Sequence, residues 1–159
     1  MKFASLLCLL VGLGVGNVLA ADTSTREIDR DVWSVVSRTV VESDIEGMAA
    51  VYHGDAVLVF GNRTVPAVDQ LAKWGRDMQE AERAGTSATV SFRFTQRQDD
   101  EKTAFEAGMF KYTTTEPSGA RTSYHVPFEA LLVNKDGKWL IVMERQLEAA
   151  DEAAWAALE

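Results

Sequence analysis

Downstream of Thr86 the spacing of apolar residues changes from a helical period to strict alternation, and that change confines the chain to a mixed architecture. Val90, Phe92 and Phe94 alternate with Ser91, Arg93 and Thr95, as in a strand buried on one face. Thr122, Tyr124, Val126, Phe128 and Ala130 repeat the pattern. Between them, residues 103–115 read as a strand whose apolar parity switches across Gly108, from Phe105 and Ala107 to Phe110 and Tyr112. A glycine at such a switch predicts a bulge or bend. Polar turns at 98–101, 117–119 and 134–137 separate the strands, and the last runs from Lys138 to Leu147.

Upstream the signals are helical. Ser24 and Glu27 form a capping box, and Ile28, Val32, Val35, Val36, Thr39 and Val40 follow at helical spacing to about Glu42. A second box, Ser43 to Glu46, opens a two-turn helix with Ile45, Met48, Ala49 and Tyr52 on one face and Gly54 as its stop. Ala56 to Phe60 reads as a short buried strand. Pro66 suits the first turn of a third helix, faced by Val68, Leu71, Trp74, Gly75 and Met78, with Gly85 as its end. Three helices followed by an antiparallel meander predict an α+β domain.

The first twenty residues read as an export leader. Lys2 supplies the positive region, Leu6 to Val15 the apolar core, and Val18-Leu19-Ala20 the small-residue cleavage signal. That apolar run falls short of the roughly 20 residues a membrane span needs. Cleavage near Ala20 removes Cys8, the only cysteine, so the exported chain has neither disulfide nor thiol chemistry. It also removes Lys2, making a chain of formal net charge −8 one unit more acidic. Such acidity argues against nucleic acid and anionic membranes as partners. Asn62-Arg63-Thr64 matches the N-glycosylation triplet.

Three stretches, DIEGMAAVYHGDAVLVF (44–60), AFEAGMFKYT (104–113) and DGKWLIVMERQ (136–146), in this order and spacing, resemble the nuclear transport factor 2-like superfamily, in particular its SnoaL-like branch. The resemblance covers about residues 26–148, leaving 149–159 as an acidic helical tail with Trp155 and Leu158 on one side. It implies three N-terminal helices packed in the concave face of a strongly curved, mainly antiparallel sheet. That arrangement is a cone-shaped half-barrel, with a pocket between helices and sheet. The superfamily includes ketosteroid isomerases, dehydratases, polyketide cyclases and non-catalytic binding domains, commonly homodimers paired through the outer sheet face. Fold alone does not choose among them.

Tyr52, Trp74, Met78, Phe94, Phe110, Tyr112 and Trp139 are the candidate pocket lining, suited to a small apolar or amphipathic ligand. Acid–base chemistry needs a carboxylate or histidine in that apolar setting. Glu106 and His125 are the candidate catalytic groups, with Glu144 the third ionisable residue inside a strand. If Tyr124 and Val126 face inward, His125 faces outward. Tyr52, Tyr112 and Tyr124 are candidate donors to a ligand carbonyl. Asp44 and Asp55 read as a helix start and a turn. His53 and His125 lie apart, and the sequence has no HExxH, EF-hand, GxSxG or phosphate-loop motif, so no metal or cofactor is expected. The favoured reading is an exported ligand-binding domain. Beside it stand a cofactor-independent isomerase, dehydratase or cyclase, and a protein-interaction module using the sheet face or the Trp155 tail.

Overall fold

The computed structural model describes residues 23–158; the leader, its cleavage point and Cys8 lie outside the described residues. Helix α1 occupies residues 23–42 and contains a π-turn at Asp29–Trp33. A π-turn aligns residues five apart, so Ile28 and Trp33 share the buried face. Ser24 is not at the start of the described helix; its hydroxyl donates to the Asp100 carbonyl. Ser43 ends α1 in the left-handed region (φ 54°). Asp44 then caps α2 (Ile45–Ala49), its carboxylate accepting the Gly47 N–H at 2.8 Å.

Strand β1 (Tyr52–Phe60) turns into β2 (Arg63–Pro66), and α3 (Ala67–Arg83) follows. Pro66 stands at the N-cap of α3, one position before the first turn expected for it. Gly85 closes α3 as anticipated: at φ 72° it lets the Thr86 N–H reach the Ala81 carbonyl and its own reach Glu82. The meander is β3 (Ser87–Asp99), β4 (Thr103–Thr115), β5 (Arg121–Lys135) and β6 (Lys138–Gln146), and a last short helix, α4 (Glu152–Ala156), ends the described chain.

The sheet order is β2-β1-β6-β5-β4-β3. Neighbours are antiparallel except β1 and β6, which pair in parallel. The sheet is open and curved, with α1 to α3 on its inner side, as the α+β expectation required. One apolar cluster joins α1 to the meander through Ile28, Val32, Trp33, Phe128, Trp139 and Ile141. A second joins α2 and α3 to β1 through Met48, Leu58 and Leu71.

Two local readings change. Tyr52 and Gly54 are not helical; the strand already begins at Tyr52, which pairs with Ile141. The Ile141 N–H bonds the Val51 carbonyl at 2.8 Å, and this distant partner overrides the helical spacing of the local sequence. A bulge between Tyr52 and Val57 absorbs the misfit. The second change concerns Gly108. β4 pairs with β5 without interruption from Thr103 to Thr115, and the irregularity lies on β3 instead, between Phe94 and Gln96. Residues 104, 106, 108, 110 and 112 therefore keep one parity, and Glu106 shares the inner face with Phe110 and Tyr112.

Candidate functional site

A cavity of about 460 Å³ opens between the helices and the concave sheet. α1 contributes Trp33, Val36 and Val40, and α3 contributes Trp74, Asp77 and Met78. From the sheet come Val90, Phe92, Phe110, Tyr112, Tyr124 and Val126. Tyr124 is more than half exposed, which marks the mouth. The lining is mostly apolar and aromatic, the usual character of a small-molecule site.

The deep polar group comes from the parallel pair β1 and β6, both interior to the sheet. Glu144 is buried, and its carboxylate accepts the Tyr52 hydroxyl at 2.6 Å and the Gln146 side-chain amide at 2.7 Å. All three residues line the cavity. Burial pushes the Glu144 carboxyl above its usual range, against the two hydrogen bonds that favour the charged form. Burial, and then the neighbouring Glu144 charge, push the Tyr52 phenol well above its ordinary value.

A carboxyl raised on folding favours the folded state below its unfolded pKa, and that contribution is lost as pH rises through the folded value. Glu144→Gln keeps an acceptor for Tyr52 and, with Gln146 turned over, a donor–acceptor pair. The substitution is therefore expected to raise the unfolding midpoint at pH 8, with the advantage shrinking toward pH 4. Thermal unfolding across that range checks it; an equal shift at both pH values contradicts the assignment.

Of the expected lining residues, Tyr52, Trp74, Met78, Phe110 and Tyr112 border this cavity. Phe94 and Trp139 lie outside its lining. Phe94 packs against Trp33, Phe92 and Phe128, with the Arg97 guanidinium 4.1 Å above its ring. Trp139 is fully buried, its indole N–H donating to Glu27. Trp33 and Phe92 line the cavity without being among the expected lining residues, although Phe92 shares the parity of Val90 and Phe94. Gln146 shares that of Glu144, the one signal that pointed to it.

Glu106 is on the inner face but beyond Trp33. Its carboxylate takes hydrogen bonds from Arg97 Nε at 2.6 Å and from the Trp33 indole, and Arg97 also bonds Asp29 at 2.7 Å. The chain thus gives Glu106 a counter-charge, a neutral donor and a closed position. Burial still holds its carboxyl above the usual range.

His125 points to the outer face, as parity required, and there α4 covers it. Asp151 caps α4 through the Ala154 N–H. Trp155 sits beside His125 and beneath the Arg93 guanidinium, 4.3 Å from its ring. Arg93 also donates to the Trp155 carbonyl at 2.6 Å. Glu152 reaches within 2.9 Å of His125 Nε2, without hydrogen-bond alignment, and bonds Lys111 at 3.0 Å. Trp155→Ala is expected to cost about 2 kcal/mol, the scale of a desolvated cation–π contact. Hydrogen exchange should then rise at the Ala150 amide, which bonds the His125 carbonyl; unchanged protection there contradicts the coupling.

A second recess, about 490 Å³, lies on the outer face near Phe105, Leu131 and Val142, beside the turn at Asp99 and Asp100. Asp100 is spent on that turn, accepting the Lys102 and Thr103 N–H groups; Asp99, half-buried, accepts the Thr25 hydroxyl with one carboxylate oxygen and buries the other without a hydrogen-bond partner among the described residues. Among the described residues, no cluster of His, Cys, Asp and Glu suits a metal ion. No helix among them is long and apolar enough to cross a membrane.

No family profile and no curated protein matches the sequence. Solved structures do. A nuclear transport factor 2-like superfamily protein from Salmonella enterica aligns at TM-score 0.64 with 12% identity, over 84% of this chain and 96% of that one. An NTF-2 like protein of unknown function from Shewanella oneidensis aligns at 0.63 with 13% identity, over 79% and 99%. A ketosteroid isomerase-like protein from Erwinia carotovora atroseptica aligns at 0.54 with 17% identity, over 79% and 98%. At such identities the alignments speak for architecture and leave activity open. The chain's fold is that of the nuclear transport factor 2-like superfamily.

Proposed function

We propose that this domain binds a small, largely apolar molecule in the cavity and holds it by a single deep polar anchor, Glu144. One observation carries the reading: an aromatic cavity of about 460 Å³ encloses a buried carboxylate whose partners, Tyr52 and Gln146, also line it. A polar group in a core is normally closed off on all sides; here it borders open space. Titration with the neutral dye N-phenyl-1-naphthylamine tests this. Saturable binding is expected, abolished by Met78→Trp, which fills the cavity at α3. Binding that survives this substitution contradicts the site.

A second reading is favoured by the same carboxyl. A glutamate raised by burial, 2.6 Å from a tyrosine hydroxyl, is suited to move a proton beside an apolar substrate. Proton-transfer activity would show as exchange of the α-protons of 2-tetralone in D₂O, lost in Glu144→Gln. Exchange no faster than buffer ends that reading.

Export through the leader belongs to the same proposal, as does membership of the SnoaL-like branch. Pairing of two copies through the outer sheet face completes it, since Leu131 is 42% exposed there and α4 covers only the His125 side. Light scattering should give twice the chain mass, reduced to one by Leu131→Glu; a monomer before substitution removes the dimer.

A further inference from the structure

We propose that the ligand of this cavity is an apolar amine, held as its ammonium ion against Glu144 and the surrounding rings. This rests on the cavity being a ligand site, and adds the chemical class of what it takes.

The inner face carries two buried glutamates, and the chain treats them differently. Glu106 has its own cation, Arg97, which in turn is held by Asp29. Glu144 has none: its partners are a hydroxyl and an amide, both neutral. A buried carboxylate without a counter-charge is costly in a folded protein. At Glu144 the missing charge has somewhere to enter from, because the carboxylate faces a cavity that opens to solvent past Tyr124.

The rest of the lining fits the same ion. Seven aromatic side chains border the cavity, among them Trp33, Trp74 and Phe110, and no Lys, Arg or His from the described residues joins them. Ring faces present negative potential, and an ammonium enclosed by them is attracted from several sides. Asp77 adds a second carboxylate at the rim, already paired with Lys73 at 2.7 Å. An anionic ligand would meet Glu144 with no cation to offset it. A neutral alcohol would satisfy the hydrogen bonding and forgo the charge. The net charge of −8 further favours the approach of cations.

The test is calorimetric titration with three probes sharing one apolar body: 4-phenylbutylamine, 4-phenylbutan-1-ol and 4-phenylbutanoate. The amine is expected to bind about tenfold or more tightly than the alcohol, a margin of about 1.4 kcal/mol, with the acid weakest. In Glu144→Gln the margin of amine over alcohol should vanish, and a cooperative thermal transition shows that the variant is folded. Equal affinities for amine and alcohol overturn the proposal and leave the ligand site standing. An amine preference that persists in Glu144→Gln overturns it as well. Failure of all three probes to bind overturns both.

Discussion

Arg97→Ala is expected to be among the most damaging single substitutions in the domain, at about 3–5 kcal/mol, the usual cost of stripping one partner from a buried ion pair. Glu106 is 1% exposed and would keep only the Trp33 indole as a donor. Asp29 would lose its guanidinium, and the Phe94 ring its cation. The loss has a pH signature. Glu106 is already raised by burial, with Arg97 the chief force in the opposite direction; without Arg97 it rises further. Stability tied to a raised carboxyl is present below its unfolded pKa and disappears as pH climbs through the folded one. The gap between variant and parent should therefore be wide at pH 8 and narrow at pH 4. Denaturant unfolding at the two values checks it, and adding Glu106→Gln should recover much of the loss at pH 8. A gap independent of pH would mean that Arg97 serves packing alone.

Gly108→Ala is expected to cost roughly 4 kcal/mol, at the upper end of point substitutions. A Cβ on residue 108 would lie 2.1 Å from the Arg93 carbonyl oxygen and 2.9 Å from Phe94 Cα. Both are backbone atoms of β3, which no rotamer change moves aside. Relief requires β3 to shift away at its bulge, which would disturb the Phe94↔Gly108 and Gln96↔Ala107 pairing on either side. In thermal unfolding this should appear as a drop of about 10 °C for a domain of this size. A change within two degrees would show that β3 yields more easily than its pairing suggests.

Gly108 also shows where the sequence stops being legible. Alternation in β3, β5 and most of β4 was plain, and the α+β architecture followed from it. The parity switch at Gly108 marked a real irregularity but on the wrong strand, because a glycine records a close approach without saying which backbone makes it. Tyr52 has the same history. Its helical spacing with Ile45, Met48 and Ala49 was genuine, and a strand that arrives far later in the chain overrode it.

The candidate site was legible in part for a similar reason. Parity identifies inward-facing side chains, and Tyr52, Trp74, Met78, Phe110 and Tyr112 do border the cavity. It does not separate inward positions that meet space from those that meet other side chains, so Phe94 and Trp139 were indistinguishable from them. Glu106 and Glu144 illustrate the point most clearly. Both are buried strand glutamates on the inner face, and what divides them is Arg97, whose position across the bulge nothing in the local sequence announces.

The parallel pairing of β1 with β6 has a consequence for how the molecule is made. In the order β2-β1-β6-β5-β4-β3, the last strand is the only one that joins the early hairpin to the later meander. Until it docks, each half exposes a sheet edge and part of its apolar face, and the contacts that close them span most of the chain, a topology that slows folding. The Tyr52–Glu144 hydrogen bond, between residues 92 apart, cannot form earlier. A chain emerging from its N-terminus therefore has no anchor in its cavity until nearly all of it is available. Closure of the sheet and assembly of the site then come as a single event, carried by the nine residues of β6.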